Sequence, residues 1–256
     1  MSISNFQERY NARYLNGYRA SLNGYEFARW QALYHFIKKV LKLENTNNFL
    51  DFGCGSGLHI GLWEKLFPSG KLYFADISSV ALEQLIAKHP QYKGNCAIVN
   101  NDKTIFQDNS FDVITSIEVM EHVENLKAYL AEIHRLLKPG GVFIWTTPCA
   151  NALSIEHIYN IFTRQIEPTS EGYRRWTWED PEHLRRLKSK EIKDILINKI
   201  GFSSVKFKFR AHFFSFVCTR LCKGRLTRTG ERLMFLDYAL FRNLINGASM
   251  IGCARK

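Results

Sequence analysis

The chain has 256 residues, of which 46% are hydrophobic and 14% aromatic, enough to bury a large core and to exclude disordered and fibrous proteins. The formal net charge is +11, and residues 151–256 carry +10 of it, because they hold 20 Lys and Arg against 10 Asp and Glu. No secretory signal opens the chain and no window reaches the roughly 18 apolar residues of a membrane span, so we expect a cytoplasmic protein whose acidic partners bind its last part.

Strands and helices alternate through residues 48–148. Short β-prone runs are followed by apolar residues at helical spacing, as at Leu58, Leu62 and Leu66. Ser78 can cap the helix that follows the second strand. The predicted strands are 48–53, 71–78, 96–100, 111–117 and 141–147. This alternation predicts an α/β fold with a parallel, doubly wound sheet.

A glycine-rich turn, LDFGCGSG at 50–57, separates the first strand from its helix. The N-terminus of a helix just past such a turn offers free N–H groups and the positive end of the helix dipole. A nucleotide-like ligand is therefore expected. The dinucleotide fingerprint would need a third glycine where Leu58 stands, so a pyrophosphate ligand is less favoured.

Three segments together resemble a known family. LDFGCGSG resembles the first motif of class I S-adenosylmethionine (SAM) dependent methyltransferases. FDVITSIEVMEHV (111–123) and LKPGGVFIWTTP (137–148) resemble the later motifs of its small-molecule branch, which includes the ubiquinone-pathway O-methyltransferases, and residues 181–202 continue the likeness. The resemblance implies a doubly wound, Rossmann-like seven-stranded sheet with SAM as methyl donor.

The resemblance also implies which residues bind SAM. Asp51 and the glycines of the turn would line the methionine end, and Asp76 would accept hydrogen bonds from the ribose hydroxyls. Asp102 would contact the adenine amino group. Ile77 and Ile117 would be walls of the site, although either could equally be plain core. The implied cofactor-binding set is Asp51, Gly53, Cys54, Gly55, Gly57, Asp76, Ile77, Asp102 and Ile117.

The chemistry of methyl transfer needs a base only if the acceptor is a hydroxyl, because positioning of the reactants supplies most of the acceleration. Glu118, Glu121 and His122 lie at i, i+3 and i+4, so a helical turn would place them on one face. These three could hold a divalent cation such as Mg²⁺, His122 could act directly as a base assisted by Glu121, or both could merely brace the turn. His183 is a further candidate catalytic residue.

One methyltransferase domain is expected over residues 1–256. Its parts would be an N-terminal helical lid (1–47), a SAM-binding core (48–148), and an acceptor-binding part with a helical insertion and the final strands (149–256). The aromatic stripe of the lid could equally be a packing face. Residues 248–256 are expected to return beside the sixth strand.

The acceptor is expected to be a small or lipid-linked molecule methylated on a hydroxyl oxygen. The basic and apolar segment 205–241 predicts either peripheral membrane contact or a helical insertion that covers the pocket. SIEV (116–119) stands where base-modifying enzymes carry an Asn/Asp-Pro-Pro-aromatic tetrad, which argues against nucleic acid. An RNA or DNA methyltransferase and a SAM-binding protein without catalysis remain the alternatives.

Overall fold

The protein is described by a computed structural model that covers residues 3–18, 21–41, 46–151, 154–169, 172–221 and 228–256. These residues form two sheets. Their strands are β1 (Asn48–Phe52), β2 (Lys71–Asp76), β3 (Cys96–Ile98), β4 (Phe111–Ile117), β5 (Leu137–Pro148), β6 (Ile166–Pro168), β7 (Arg174–Trp176), β8 (Ser204–Arg210) and β9 (Ser249–Arg255).

Helices cover both faces of the main sheet. They are α1 (Ile3–Leu15), α2 (Gly24–Val40), α3 (Ile60–Leu66), α4 (Ser79–Lys88), α5 (Leu126–Leu136), α6 (Ile155–Phe162), α7 (Ser189–Asp194), α8 (Phe214–Phe216) and α9 (Arg228–Phe241). Among the described residues, no helix is both long and apolar enough to span a membrane.

The main sheet has seven strands in the order β3-β2-β1-β4-β5-β9-β8. Strands β1 to β5 run parallel, whereas β9 runs antiparallel between β5 and β8. The Rossmann-like fold is therefore confirmed. The final strand, β9, pairs as predicted with β8, which is the sixth strand of the main sheet in chain order. β6 and β7 pair separately as a small hairpin that the sequence analysis did not predict.

Local signals explain where the helices begin. The Ser78 hydroxyl accepts a hydrogen bond from the Ala81 N–H at 3.1 Å and starts α4, as its sequence predicts. α2 begins with a capping box, in which the side chains of Asn23 and Glu26 each accept the other's backbone N–H. Asn125 caps α5 in the same manner as Ser78 caps α4.

The core lies on both faces of the sheet, as a parallel sheet requires. On one face Trp145 packs with Leu130 of α5. On the other face Phe49 packs on Trp63 of α3, with ring centroids 4.9 Å apart. The carboxyl ends of β1, β2 and β4 meet at one edge, and the turns that follow them build the site described next.

Candidate functional site

A cavity of about 250 Å³ lies at the carboxyl ends of β1, β2 and β4. We call it the donor cavity, because four residues that the resemblance assigns to SAM line it. They are Gly53, Asp76, Ile77 and Asp102. Aromatic side chains of α1 and the turn after β4 form the rest of the wall.

The glycine-rich turn borders the donor cavity, and its backbone has dihedral angles that are unfavourable for residues other than glycine. Gly53 and Gly55 have φ values of 83° and 54°, in the left-handed region that favours glycine. A Cβ at Gly53 would collide with Val119, and one at Gly55 would collide with the hydroxyl of Tyr14. These glycines therefore let the backbone approach both the cavity and the helix that covers it.

Asp76 ends β2 with its carboxylate in the cavity wall. One oxygen accepts the Gly55 N–H at 2.8 Å and the other accepts the Ser78 N–H at 2.9 Å. The side chain is buried. Its two oxygens are thus held by the turns after β1 and β2, in the position that the resemblance gives to the residue binding the ribose hydroxyls.

The loop after β3 forms another part of the wall. Asn101 and Asp102 have φ values of 49° and 60°, a conformation that Asn and Asp tolerate better than most residues. Burial and the nearby Glu124 carboxylate raise the pKa of Asp102. Asp102 lines the donor cavity together with Asn125, which keeps it available for the predicted contact with adenine.

Three residues of the predicted set lie in the core instead of the cavity wall. Cys54 and Ile117 are buried in the cluster around α3. The Asp51 carboxylate accepts the Trp63 Nε1–H at 2.8 Å and the Thr115 hydroxyl at 3.0 Å. Alternation along a strand explains this placement, since neighbours of a cavity-facing residue point to the other face. Gly57 lies behind the cavity, in the turn that leads to α3.

Burial, with a smaller contribution from the charge of Asp76, raises the pKa of Asp51 to about 7. The folded protein therefore holds this proton at pH values where the unfolded chain has lost it. We expect the free energy of unfolding to fall as the pH rises from about 4 to about 7, by up to about 1.4 kcal/mol per pH unit from this group. Asp51→Asn should flatten this dependence in urea unfolding measured across that range.

Asp112→Asn is the control for this experiment. The pKa of Asp112 is lowered, since its burial is outweighed by its hydrogen bonds to Lys138 and to the backbone of Asn48. Its stabilising effect is complete above its unfolded pKa, so the variant should lose stability evenly over the same range. An Asp51→Asn curve parallel to the wild type would contradict the assignment of this proton.

Helix α1 closes one side of the donor cavity through Phe6, Tyr10 and Tyr14. Hydrogen bonds fasten it to the turn after β2: Gln7 Nε2 donates to the Ile77 carbonyl at 2.9 Å, and the Ser78 hydroxyl donates to Asn11 Oδ1 at 2.7 Å. α2, in contrast, packs its apolar face into the core. Within residues 1–47, only the first helix and Tyr18 line the donor cavity among the described residues.

Ion pairs fasten the other side of α1 to the segment before His183. Arg9 Nη1 lies 3.3 Å from Glu182 Oε1, and Arg13 pairs with Asp180. α1 therefore contacts both the donor side and the segment that carries a predicted catalytic residue. The assignment of residues 1–47 as a lid stays a prediction.

The turn after β4 differs from the helical face that spacing predicts. Residues 118–122 form a turn, and Glu118 has a φ of 55°, which interrupts any helix. Glu118 pairs with Arg29 of α2 at 3.1 Å and accepts the Thr146 hydroxyl at 2.8 Å. Glu118 therefore stands apart from the group that forms around Glu121 and His122.

Glu121, His122 and His183 come together although 60 residues separate the histidines. One ligand atom from each lies within 4.8 Å of the others, and the two imidazole centroids are 4.6 Å apart. His122 Nδ1 lies 3.0 Å from the Glu182 carbonyl oxygen, and because a carbonyl can only accept, Nδ1–H is the donor. We call these three residues the base cluster.

Burial and neighbouring groups shift the pKa values of Glu121 and His183. Burial, followed by the charge of Glu118, raises the pKa of Glu121 to about 7. Burial lowers the pKa of His183, but its hydrogen bond to Glu179 and the charge of Glu121 outweigh burial and raise it above the usual value. A buried acid and a neighbouring histidine whose pKa values are both shifted are typical of proton-transferring sites.

The base cluster also fits a divalent cation. Glu121 Oε2 accepts the Thr147 hydroxyl at 3.0 Å, whereas Oε1 is buried without a hydrogen-bond partner among the described residues. The bond from His122 Nδ1 to a backbone carbonyl is the orienting contact usual for metal-binding histidines. His183 takes the place that the sequence analysis gave to Glu118. Two imidazoles and one carboxylate suit transition metals better than Mg²⁺.

A second cavity, of about 310 Å³, lies on the other side of the base cluster. We call it the acceptor cavity. His183, Glu179, Trp178 and Tyr25 line it, and Glu118 lines both cavities. His122 lines the donor cavity and His183 the acceptor cavity, so the paired imidazoles stand where the two cavities meet.

Two arginines that the sequence analysis did not single out hold this arrangement. Arg186 Nε donates to Glu179 Oε1 at 2.7 Å, and the charge of Arg186 contributes most to lowering the pKa of Glu179 to about 2 against its burial. Arg185 is 1% exposed, and its guanidinium donates to the carbonyls of Met120, Val123 and Glu124. The only feature of the sequence that could have indicated this role is the Arg-Arg pair that follows His183 and Leu184.

Arg185→Met should lower the free energy of unfolding by about 3 kcal/mol, because it leaves several buried carbonyls without donors. The exposed Arg174 is the matched control, and Arg174→Met should change stability by less than about 0.5 kcal/mol. Chemical denaturation of both variants measures the difference. Equal losses would mean that Arg185 does not organise the turn.

Comparison with known sequences gives a family match and several relatives. A family model described as a methyltransferase domain matches residues 22–206. An uncharacterized protein of Methanocaldococcus jannaschii is 34% identical over 129 residues, which are half of this chain, and the chain spans 54% of that protein. The demethylmenaquinone methyltransferase of Geobacillus stearothermophilus is 25% identical over 182 residues, covering 67% of this chain and 77% of the relative.

Solved structures share the fold at low identity. A SAM-dependent methyltransferase of Thermotoga maritima, described as a possible histamine N-methyltransferase, matches with a TM-score of 0.62 at 16% identity, covering 98% of this chain and 99% of its own. The phosphoethanolamine N-methyltransferase 2 of Haemonchus contortus, solved with S-adenosylhomocysteine, gives a TM-score of 0.63 at 16% identity, covering 100% of this chain and 61% of its own.

Proposed function

The chain belongs to the methyltransferase domain family, and we propose that it uses SAM to methylate a hydroxyl oxygen of a small molecule. The observation that carries the proposal is the base cluster between the two cavities. Methyl transfer to a neutral amine needs no such base at the moment of attack, whereas a hydroxyl that is methylated, or one that activates a neighbouring ring carbon, must lose its proton. The pKa of Glu121, at about 7, fits that task.

The acceptor cavity holds the hydroxyl within reach of the base cluster in this proposal. His122 Nε2 or the His183 ring takes the hydroxyl proton, and Glu121 stabilises the imidazolium that results. SAM bound in the donor cavity would supply an electrophilic methyl group on a sulfonium, and its transfer to the deprotonated oxygen would leave S-adenosylhomocysteine. Arg185 and Arg186 keep the two histidines facing each other throughout.

A cation held by Glu121, His122 and His183 would lower the pKa of a hydroxyl beside it. The direct route through histidine predicts that activity survives exhaustive chelation with EDTA. If EDTA abolishes activity and Zn²⁺ or Mn²⁺ restores it, the result would favour a cation bound at the same residues over direct proton transfer to histidine. Restoration by Mg²⁺ alone would favour the oxygen-rich set of Glu118, Glu121 and His122.

The apolar residues at the mouth of the acceptor cavity are the evidence for an apolar, lipid-linked acceptor. Trp178 is 41% exposed and lines the cavity. Its Nε1–H donates to Asn160 of α6, at 2.8 Å, and Ile161 and Phe162 on that helix are 55% and 83% exposed. Exposed apolar side chains in one patch are typical of contact sites.

Peripheral membrane contact through 205–241 is part of the same proposal. Phe213 lies in this segment and is half exposed, and Leu236 and Leu240 of α9 are also exposed. Residues 222–227 of the segment lie outside the described residues.

The test is product analysis. The protein is incubated with SAM and, separately, a catechol, a long-chain phenol, a primary amine and a short RNA, and the methylated products are identified by mass spectrometry. An O-methylated phenol is expected, with the long-chain phenol preferred. Methylation of the amine or RNA alone would overturn the oxygen assignment. SAM binding without any product would favour a module without catalysis.

A further inference from the structure

A third concavity, a groove of about 770 Å³, lies between α2, α9 and the β8–β9 edge of the sheet. It shares no lining residue with the donor or acceptor cavity. Pro148, at the end of β5, lines the acceptor cavity, whereas Cys253 and Arg255 of the groove stand opposite Ile144 and Val142, earlier in that strand. The groove is therefore separate from the donor and acceptor cavities and lies further from the carboxyl ends of the parallel strands.

Five cationic side chains line the groove without a carboxylate among the lining residues. They are Lys39, Lys206, Lys208, Arg242 and Arg255. None of the five forms an ion pair with another residue that the structure describes. A concave surface lined by one sign of charge concentrates the field and attracts ions of the opposite sign.

Strand register brings these cations together. Lys206 pairs with Cys253, and Ser204 pairs with Arg255, so the alternation of the strands puts Lys206, Lys208 and Arg255 on one face. Burial, followed by repulsion from Arg242 and Lys39, lowers the pKa of Lys208. Like charges held this close destabilise the protein unless an anion neutralises them.

The floor of the groove is aromatic. Phe235 is half buried and lines it beside the buried Phe36 and Tyr238. Cations around an apolar floor match a ligand that has an anionic head and an apolar body. A groove of this volume also exceeds the needs of a single inorganic anion.

We propose that this groove is a second ligand site and that its ligand carries two or more phosphate groups on a ring or chain that packs against Phe235 and Tyr238. Phosphates are recognised by clustered Lys and Arg because each oxygen accepts charge-assisted hydrogen bonds. The same chemistry occurs in a free diphosphate and in the headgroup of an anionic lipid. The proposal is independent of the acceptor at the catalytic edge.

Calorimetric titration with geranyl diphosphate and with inorganic pyrophosphate tests the site. We expect both to bind, and geranyl diphosphate to bind more tightly because of its apolar chain. The double variant Lys208→Gln, Arg242→Gln should bind about a hundredfold more weakly, since it removes two charged donors. The control Lys88→Gln, Lys93→Gln removes two exposed charges elsewhere and should bind like the wild type.

Sedimentation with vesicles distinguishes the source of the phosphate. Binding to mixed cardiolipin vesicles, whose headgroup carries two phosphates, without binding of the soluble diphosphates and with loss in the groove variant, would support a lipid headgroup. Binding of the soluble diphosphates would support a free ligand. Binding of neither, or equal loss in the control variant, would overturn the proposal. Tighter binding of duplex RNA than of any of these probes, again lost in the groove variant, would overturn it in favour of nucleic acid.

The SAM affinity of every variant is measured on the same preparations. Retained SAM binding with lost diphosphate binding separates the groove from the donor cavity. A failure of the methyl-transfer proposal would instead show in product analysis of the wild type, which does not depend on the groove.

Discussion

Asp76→Ala is expected to weaken SAM binding a hundredfold or more in calorimetric titration. The Asp76 carboxylate is buried in the wall of the donor cavity and accepts the N–H groups of Gly55 and Ser78. Its removal takes away an acceptor for the ribose hydroxyls and also unfastens the two turns that shape the cavity. Two hydrogen bonds to a charged group account for a change of this size. Asp76→Asn keeps one acceptor oxygen and should lose only about tenfold.

Asp112 offers a matched control at the other end of the sheet. Its carboxylate also accepts two backbone N–H groups, from Asn47 at 3.0 Å and Asn48 at 2.8 Å, but it lines none of the three cavities described above. Asp112→Asn should therefore lower stability without changing the SAM dissociation constant. Unchanged SAM affinity in Asp76→Ala would refute the donor-site assignment.

His122→Gln and His183→Gln should each lower kcat by a hundredfold or more, with SAM affinity unchanged within about twofold. General-base catalysis contributes a factor of this order. In the wild type, kcat should fall as the pH drops through about 7, because Glu121 then takes up a proton and no longer stabilises the imidazolium. The histidine variants should show a flatter pH profile.

His89→Gln controls for the loss of an imidazole as such, since His89 caps the far end of α4. It should leave kcat and the pH profile intact. A histidine variant that weakens SAM binding as much as it lowers kcat would indicate a structural role. In that case the base cluster braces the turn after β4 and does not move protons.

Predictions from sequence succeeded where local signals decide the structure. β4 occupies 111–117 as predicted, and the Ser78 cap and the glycine turn also lie where their side-chain and backbone chemistry requires. The residues assigned to SAM that end a strand, such as Asp76, do line the donor cavity, and their role stays a prediction. The assignment was weaker for Asp51, because one residue of difference along a strand turns a side chain from the cavity to the core.

Long-range contacts explain what the sequence could not predict. The spacing of Glu118, Glu121 and His122 suits a helix, but the carbonyls of that turn bond to Arg185, more than sixty residues later. His183 reaches the base cluster for the same reason, since the Leu184 N–H donates to the Glu121 carbonyl at 2.8 Å. Such contacts follow from tertiary packing and leave no periodic trace in the chain.

Helix α1 is held on two sides by contacts of different kinds. It bonds to Ile77 and Ser78 on one side and pairs with Asp180 and Glu182 on the other. As the predicted lid, it would have to break both sets of contacts before a product could leave. The ion pairs are partly exposed, so salt weakens them. Ionic strength would then control the release step, whereas it would leave the methyl transfer itself almost unaffected.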